Sequence, residues 1–193
     1  MLNRREFLES IVGVAAVTLL PDFSYATPSP SDSNFILTQQ EFEEFLTRPV
    51  RETLRDTRVR FVTVEEYDIA VNQTSLPPDE RKGVVSLVYD DALWSRGLSA
   101  LVYTFDRRYS DLKTVAVSYT SVAHPSQDEI DSMGNRFQLR SFPALVFYNN
   151  VRGIVTRANQ MQGGICEFSG RGSYNSNIDI LCPFIETEVL TLR

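Results

Sequence analysis

The sequence predicts an α/β fold in which a central β-sheet is flanked by helices, preceded by an extra N-terminal helical arm. Three observations carry this. The run VVSLVY, residues 84–89, is continuously apolar, as a strand buried on both faces should be. It leads into LWSRGLSALVYTFDRRYS, where Leu98, Leu101, Val102 and Phe105 recur at helical spacing. Strand-type and helix-type patterns then alternate as far as the strand ALVFYNN, the signature of a sheet with helices on its faces.

Bulk composition sets the limits. The 193 residues are 42% hydrophobic, enough for one domain with a proper core. The formal net charge is -6, and lysine is confined to Lys82 and Lys113. An acidic chain without a basic cluster argues against a nucleic-acid partner, because that affinity rests on neutralising phosphates.

Residues 1–26, MLNRREFLESIVGVAAVTLLPDFSYA, read as a signal peptide. Charged residues come first, an apolar stretch from Ile11 to Leu20 follows, and Ser24-Tyr25-Ala26 offers small residues for cleavage. The stretch is short against the roughly 20 residues a membrane span needs, so no stable span is expected after cleavage. Arg4 and Arg5, followed by Glu6-Phe7-Leu8, resemble the twin-arginine export motif. That resemblance implies delivery, already folded, to the periplasm or an equivalent exported compartment.

Residues 27–34, TPSPSDSN, form a Pro/Ser linker expected to be disordered. In the arm, residues 35–58, Thr38 and Glu41 fit a capping box, and Phe42, Phe45 and Leu46 lie at helical spacing. Pro49 breaks the pattern, so one helix should end near Thr47 and a short second one begin at Pro49. The main domain, residues 59–193, then reads in order. VRFVTV is a strand, EEYDIAVNQ a helix and SLPPDERKG an exposed loop. VVSLVY and the helix after it are followed by the strand TVAVSY and the helix SQDEIDSMGNRF. ALVFYNN and ICEFSG are strands, and NIDILCPFIETEVLTL is a closing helical segment.

From about Val59 to Leu190 this order resembles the thioredoxin-like fold, and the sharpest local likeness is FQLRSFPALVFYNN, residues 137–150. The resemblance implies a mixed central sheet and makes Pro143 the candidate cis-proline. At the start of the second helix, where the family carries C-x-x-C, this chain has Leu93-Trp94-Ser95-Arg96-Gly97. Dithiol exchange at that site is therefore excluded, and no catalytic residue is assigned. What the scaffold retains is a peptide-binding surface, expected from Trp94, Ser95 and Arg96 with Phe142 and Pro143 opposite. Thioredoxin-shaped proteins without C-x-x-C are known among assembly factors for exported redox enzymes. The resemblance thus implies a protein or peptide partner of that kind, with no cofactor and an oligomeric state left open.

Other residues were candidates for chemistry. Cys166 and Cys182 are the only cysteines, and in an exported protein such a pair is expected to form a structural disulfide. Two buried free thiols or a redox-active pair are the alternatives, and Cys182-Pro183 raises the question of a helix beginning there. His124 is the only histidine, which excludes multi-histidine metal sites, and no metal is expected. Asp90 and Asp91, after the buried strand, fit either a cation site or a solvated turn. The glycine-rich stretch at residues 160–173 lacks the spacing of a phosphate loop. A third reading makes Phe42, Phe45 and Leu46 a self-association face.

Overall fold

The computed structural model describes residues 34–73, 75–77, 80–119, 126–137, 139, 142–149, 156–157, 167–168 and 173–190. The expected export signal with Arg4 and Arg5, nearly all of the expected linker, His124 and Cys166 lie outside the described residues.

The arm forms as its sequence dictates. Helix α1 (Gln39–Thr47) begins at Thr38, whose hydroxyl accepts from the Glu41 amide while the Glu41 carboxylate accepts from the Thr38 amide. These bonds satisfy two of the donors that a helix start leaves open. Pro49 interrupts the helix, and one further turn, α2 (Val50–Thr53), follows.

Strand β1 (Arg60–Val62), helix α3 (Tyr67–Val71), strand β2 (Gly83–Tyr89), helix α4 (Leu93–Arg108) and strand β3 (Leu112–Ser118) come next. Helix α5 (Gln127–Phe137) and strand β4 (Ala144–Asn149) follow. Two short strands, β5 (Thr156–Arg157) and β6 (Glu167–Phe168), precede helix α6 (Tyr174–Phe184). The sequence gives no sign of β5, because two residues carry no periodicity.

The sheet is mixed. Its order is β1-β3-β2-β4-β5, with β6 also paired to β4. β1, β3 and β2 run parallel, with Arg60 opposite Val115 and Leu87 opposite Ala116. β4 runs antiparallel to β2, with Leu87 opposite Leu145. The Phe142–Pro143 bond that leads into β4 is cis, as the resemblance implied.

Every residue of β2 is buried, matching its apolar sequence. Val85, Leu87 and Tyr89 face one side, where they join α4, α6 and the arm. Val84 and Val88 face the other and join Tyr67, Ala70 and Val71 of α3. The arm is part of the first cluster: Phe45, Val50 and Leu54 are buried with Leu98, Leu101 and Phe105 of α4. Residues 35–58 and the strands that follow therefore share one core. Phe42 stacks on Tyr174 and Phe45 packs edge-on to Tyr103, so these rings are turned toward their own chain.

Helix α6 contains Pro183, which cannot donate to the preceding turn. The helix continues as a wider turn, Ile185–Val189, where the Leu190 amide donates to the Ile185 carbonyl. Cys182 is thus inside a helix and not at the start of one.

Candidate functional site

Because β1, β3 and β2 are parallel, their carboxyl ends share one edge of the sheet, the edge where α/β proteins form ligand crevices. Three chain segments leave from there: Thr63–Glu66 after β1, Asp90–Ala92 after β2 and Tyr119 after β3.

Asp90 organises this edge. One carboxylate oxygen, Oδ1, accepts from the Ser95 hydroxyl at 2.6 Å and from the Ala92 amide at 3.1 Å. The other, Oδ2, accepts from the Tyr119 hydroxyl at 2.8 Å. The Ser95 Oγ in turn accepts from the Asp90 amide. Tyr119 lies with its ring 4.4 Å from that of Phe142. Burial pushes the Tyr119 phenol well above its ordinary value, and the Asp90 carboxylate adds to the shift. A chain of contacts thus runs from the first turn of α4, through Asp90 and Tyr119, to the residue before Pro143.

Asp91 and Arg96 fasten the arm. Asp91 Oδ1 accepts from the Val50 amide at 3.0 Å, capping α2, which has no side-chain cap of its own. The Arg96 guanidinium donates to the Asp91 carbonyl and, at 3.3 Å, to the Leu46 carbonyl near the end of α1. The arm is clipped at the first turn of α4, where the expected resemblance would place the cysteines.

The surface expected from the sequence is accordingly altered. Ser95 is 0% exposed and spent on Asp90, so it is not part of a binding surface; its neighbour five residues earlier decides this. Arg96 is half-buried and holds the arm. Trp94 and Phe142 are half-buried, and Pro143 is buried. Of the two aspartates, Asp90 is a hydrogen-bond hub and Asp91 a helix cap. Among the described residues no group of three His, Cys, Asp or Glu side chains is placed to hold a metal ion.

An open cleft of about 840 Å³ lies beside this network, which the sequence reading missed. Its walls come from the ends of β1, β2 and β3, from α2 and from α5. Arg51 of α2 lies across the Phe61 ring, 5.1 Å from its centre, and beside the Tyr89 phenol. Burial still holds that phenol above its ordinary value, although Arg51 pulls it down. Carboxylates enter the wall from three separate segments: Glu65 and Glu66, Asp91, and Asp128. Glu66 also accepts from the Thr63 amide, fixing the turn after β1.

Cys182 is a free thiol, 5% exposed, and burial raises its pKa against the pull of the Tyr109 hydroxyl. That is the opposite of the lowered value a reactive cysteine needs. Compared with known proteins, the chain matches no family model and no curated protein.

Proposed function

We propose that this protein is a non-catalytic, thioredoxin-like polypeptide-binding protein, exported by the twin-arginine route to the periplasm or an equivalent compartment. Within that role it serves as an assembly factor or chaperone for an exported redox enzyme. The observation that carries the binding role is the open cleft at the carboxyl ends of the three parallel strands, beside a first helical turn that has Trp94-Ser95-Arg96 in place of thiols. The thioredoxin-like class is supported by the order β1-β3-β2-β4, with β4 antiparallel and α4 following β2. Export is supported by the Arg4-Arg5 pair and the apolar run after it.

The cleft is open to solvent. Its lining mixes polar side chains such as Thr63, Ser118 and Ser132 with apolar ones such as Phe61 and Val62, a mixture suited to holding a peptide. The oxidoreductase alternative needs an accessible sulfur of low pKa, and Cys182 is neither accessible nor low.

The test is selection of random decapeptides against the full chain, with binding rechecked by the emission of Trp94, the only tryptophan. Selected peptides that change Trp94 emission saturably support the reading. A library from which nothing is enriched above a control protein overturns it. Export is tested separately by changing Arg4 and Arg5 to lysine in a chain carrying a reporter, where accumulation in the cytoplasm is expected.

A further inference from the structure

We infer that the segment this cleft takes carries a basic side chain, arginine or lysine, as its main determinant; the inference rests on the polypeptide-binding reading above. Two independent observations support it. The first is charge: Glu65, Glu66, Asp91 and Asp128 line the cleft, and among the described residues Arg51 is the only cationic side chain in its wall. These carboxylates come from the turn after β1, the turn after β2 and helix α5, so the fold converges them on one cavity from separate parts of the chain. A cation entering the cavity is attracted by carboxylates on three of its sides.

The second observation is that a guanidinium already lies there. Arg51, from the arm, sits over the Phe61 ring with the Tyr89 phenol beside it. The chain thereby shows which chemistry the floor of the cleft accepts: a flat cation on an aromatic face, with carboxylates at the rim. Arg51 itself is exposed, so the cleft is not filled by it. Among the described residues one cation faces four carboxylates in this wall, and a second cation from a partner fits beside the first. An acidic or phosphorylated segment would meet these carboxylates and be rejected.

The decapeptides selected above supply the test. Enrichment of arginine or lysine at one or two fixed positions is expected. Replacing that residue by alanine in a synthetic copy should weaken binding about tenfold, and replacing it by glutamate should abolish binding. In the protein, the double change Asp128→Asn with Glu65→Gln removes two carboxylates other than the Asp91 cap on α2 and the Glu66 acceptor of the Thr63 amide. It should weaken the basic peptide by about three- to tenfold, as expected for exposed ion pairs, and leave the alanine copy unchanged. An unchanged melting temperature shows that the double variant is folded; a double variant that melts early is replaced by Asp128→Asn alone, read the same way. Selected peptides without a basic preference overturn this inference and leave the polypeptide-binding reading standing. A library with no enrichment at all overturns both. Free arginine amide competing as well as the whole peptide would also overturn it, because the determinant would then be a small cation and not a segment.

Discussion

Tyr119 donates its hydroxyl to Asp90 across 2.8 Å, joining the end of β3 to the turn after β2. The bond does two things at once. It occupies the carboxylate oxygen that Ser95 and Ala92 leave open, and it holds the Tyr119 ring flat enough to pack on Phe142. Tyr119→Phe keeps the ring and removes the bond. A bond to a carboxylate is worth about 1–3 kcal/mol, so the urea midpoint should fall by that equivalent with an unchanged slope. A variant as stable as the parent would mean that water replaces the phenol at Asp90 without loss.

Alkaline pH should weaken the fold. Burial is the first cause of raised pKa values at Tyr89, Tyr109, Tyr119 and Tyr174, all above the ordinary 10.0. Burial raises Cys182 above 9.0 in the same way. In each case the unfolded chain loses its proton at a lower pH than the folded one. The contribution of these groups is therefore complete below about pH 9 and falls as pH climbs through and beyond 10. Lys113 acts oppositely, since burial lowers it from 10.5, but it is one group against five. Urea midpoints measured from pH 8 to 11 should decline, and phenolate absorbance should rise together with unfolding and not ahead of it.

The start of β2 leaves no room for a side chain. A methyl group at Gly83 would lie 2.7 Å from both the Val189 side chain and the Val189 carbonyl oxygen. The side chain can move, but the carbonyl belongs to the turn that closes the chain after Pro183. Gly83→Ala should cost about 1–3 kcal/mol, the usual penalty for overpacking. Trimming Val189 to alanine in the same chain should not restore the loss, because the carbonyl clash persists. Thermal melts of the single and double variants decide the point.

The arm's attachment can be loosened without touching its apolar contacts. Asp91→Ala removes the only side-chain cap on the Val50 amide and should cost about 1 kcal/mol. Hydrogen exchange at Val50 should quicken while the amides of β2 stay protected. A chain beginning at Val59 is a harsher change: it loses Phe45, Val50 and Leu54 from the core and should not fold.

Much of this architecture was legible from residue order, for reasons that are local. Thr38 and Glu41 announce a helix start three residues apart, Pro49 forbids its continuation, and an unbroken apolar run such as 84–89 has few homes except the middle of a sheet. The site was less legible because its members are brought together by the fold. Ser95 in a helix's first turn has the composition of an exposed residue, and only the return of Asp90 toward it makes it buried. Arg51 stands in a polar stretch of the arm with nothing to mark it, and it reaches the cleft by laying its guanidinium over the Phe61 ring of β1. The Asp90–Tyr119 bond spans 29 residues, far beyond any periodicity.

At the head of α4, Ser95 stands where the expected resemblance would place a thiol. If absence of a thiol were the sole reason for the lack of exchange chemistry there, Ser95→Cys would restore a reactive group. The geometry says otherwise. Ser95 is fully buried, its oxygen points to the Asp90 carboxylate at 2.6 Å, and a carboxylate neighbour disfavours a thiolate. A cysteine there should react with iodoacetamide far more slowly in the folded protein than after unfolding. Cys182 should behave alike, since its thiol is buried and raised. The measurement is mass spectrometry of alkylated peptides from reduced Ser95→Cys and parent protein, with and without urea. Labelling at residue 95 or 182 only in urea is the expected pattern. Rapid labelling of Cys182 in the folded parent would remove the basis for calling it inert and reopen thiol chemistry in α6. Rapid labelling at residue 95 would show that the turn after β2 opens in solution, with the Asp90–Ser95 bond broken and the first turn of α4 available to a partner after all.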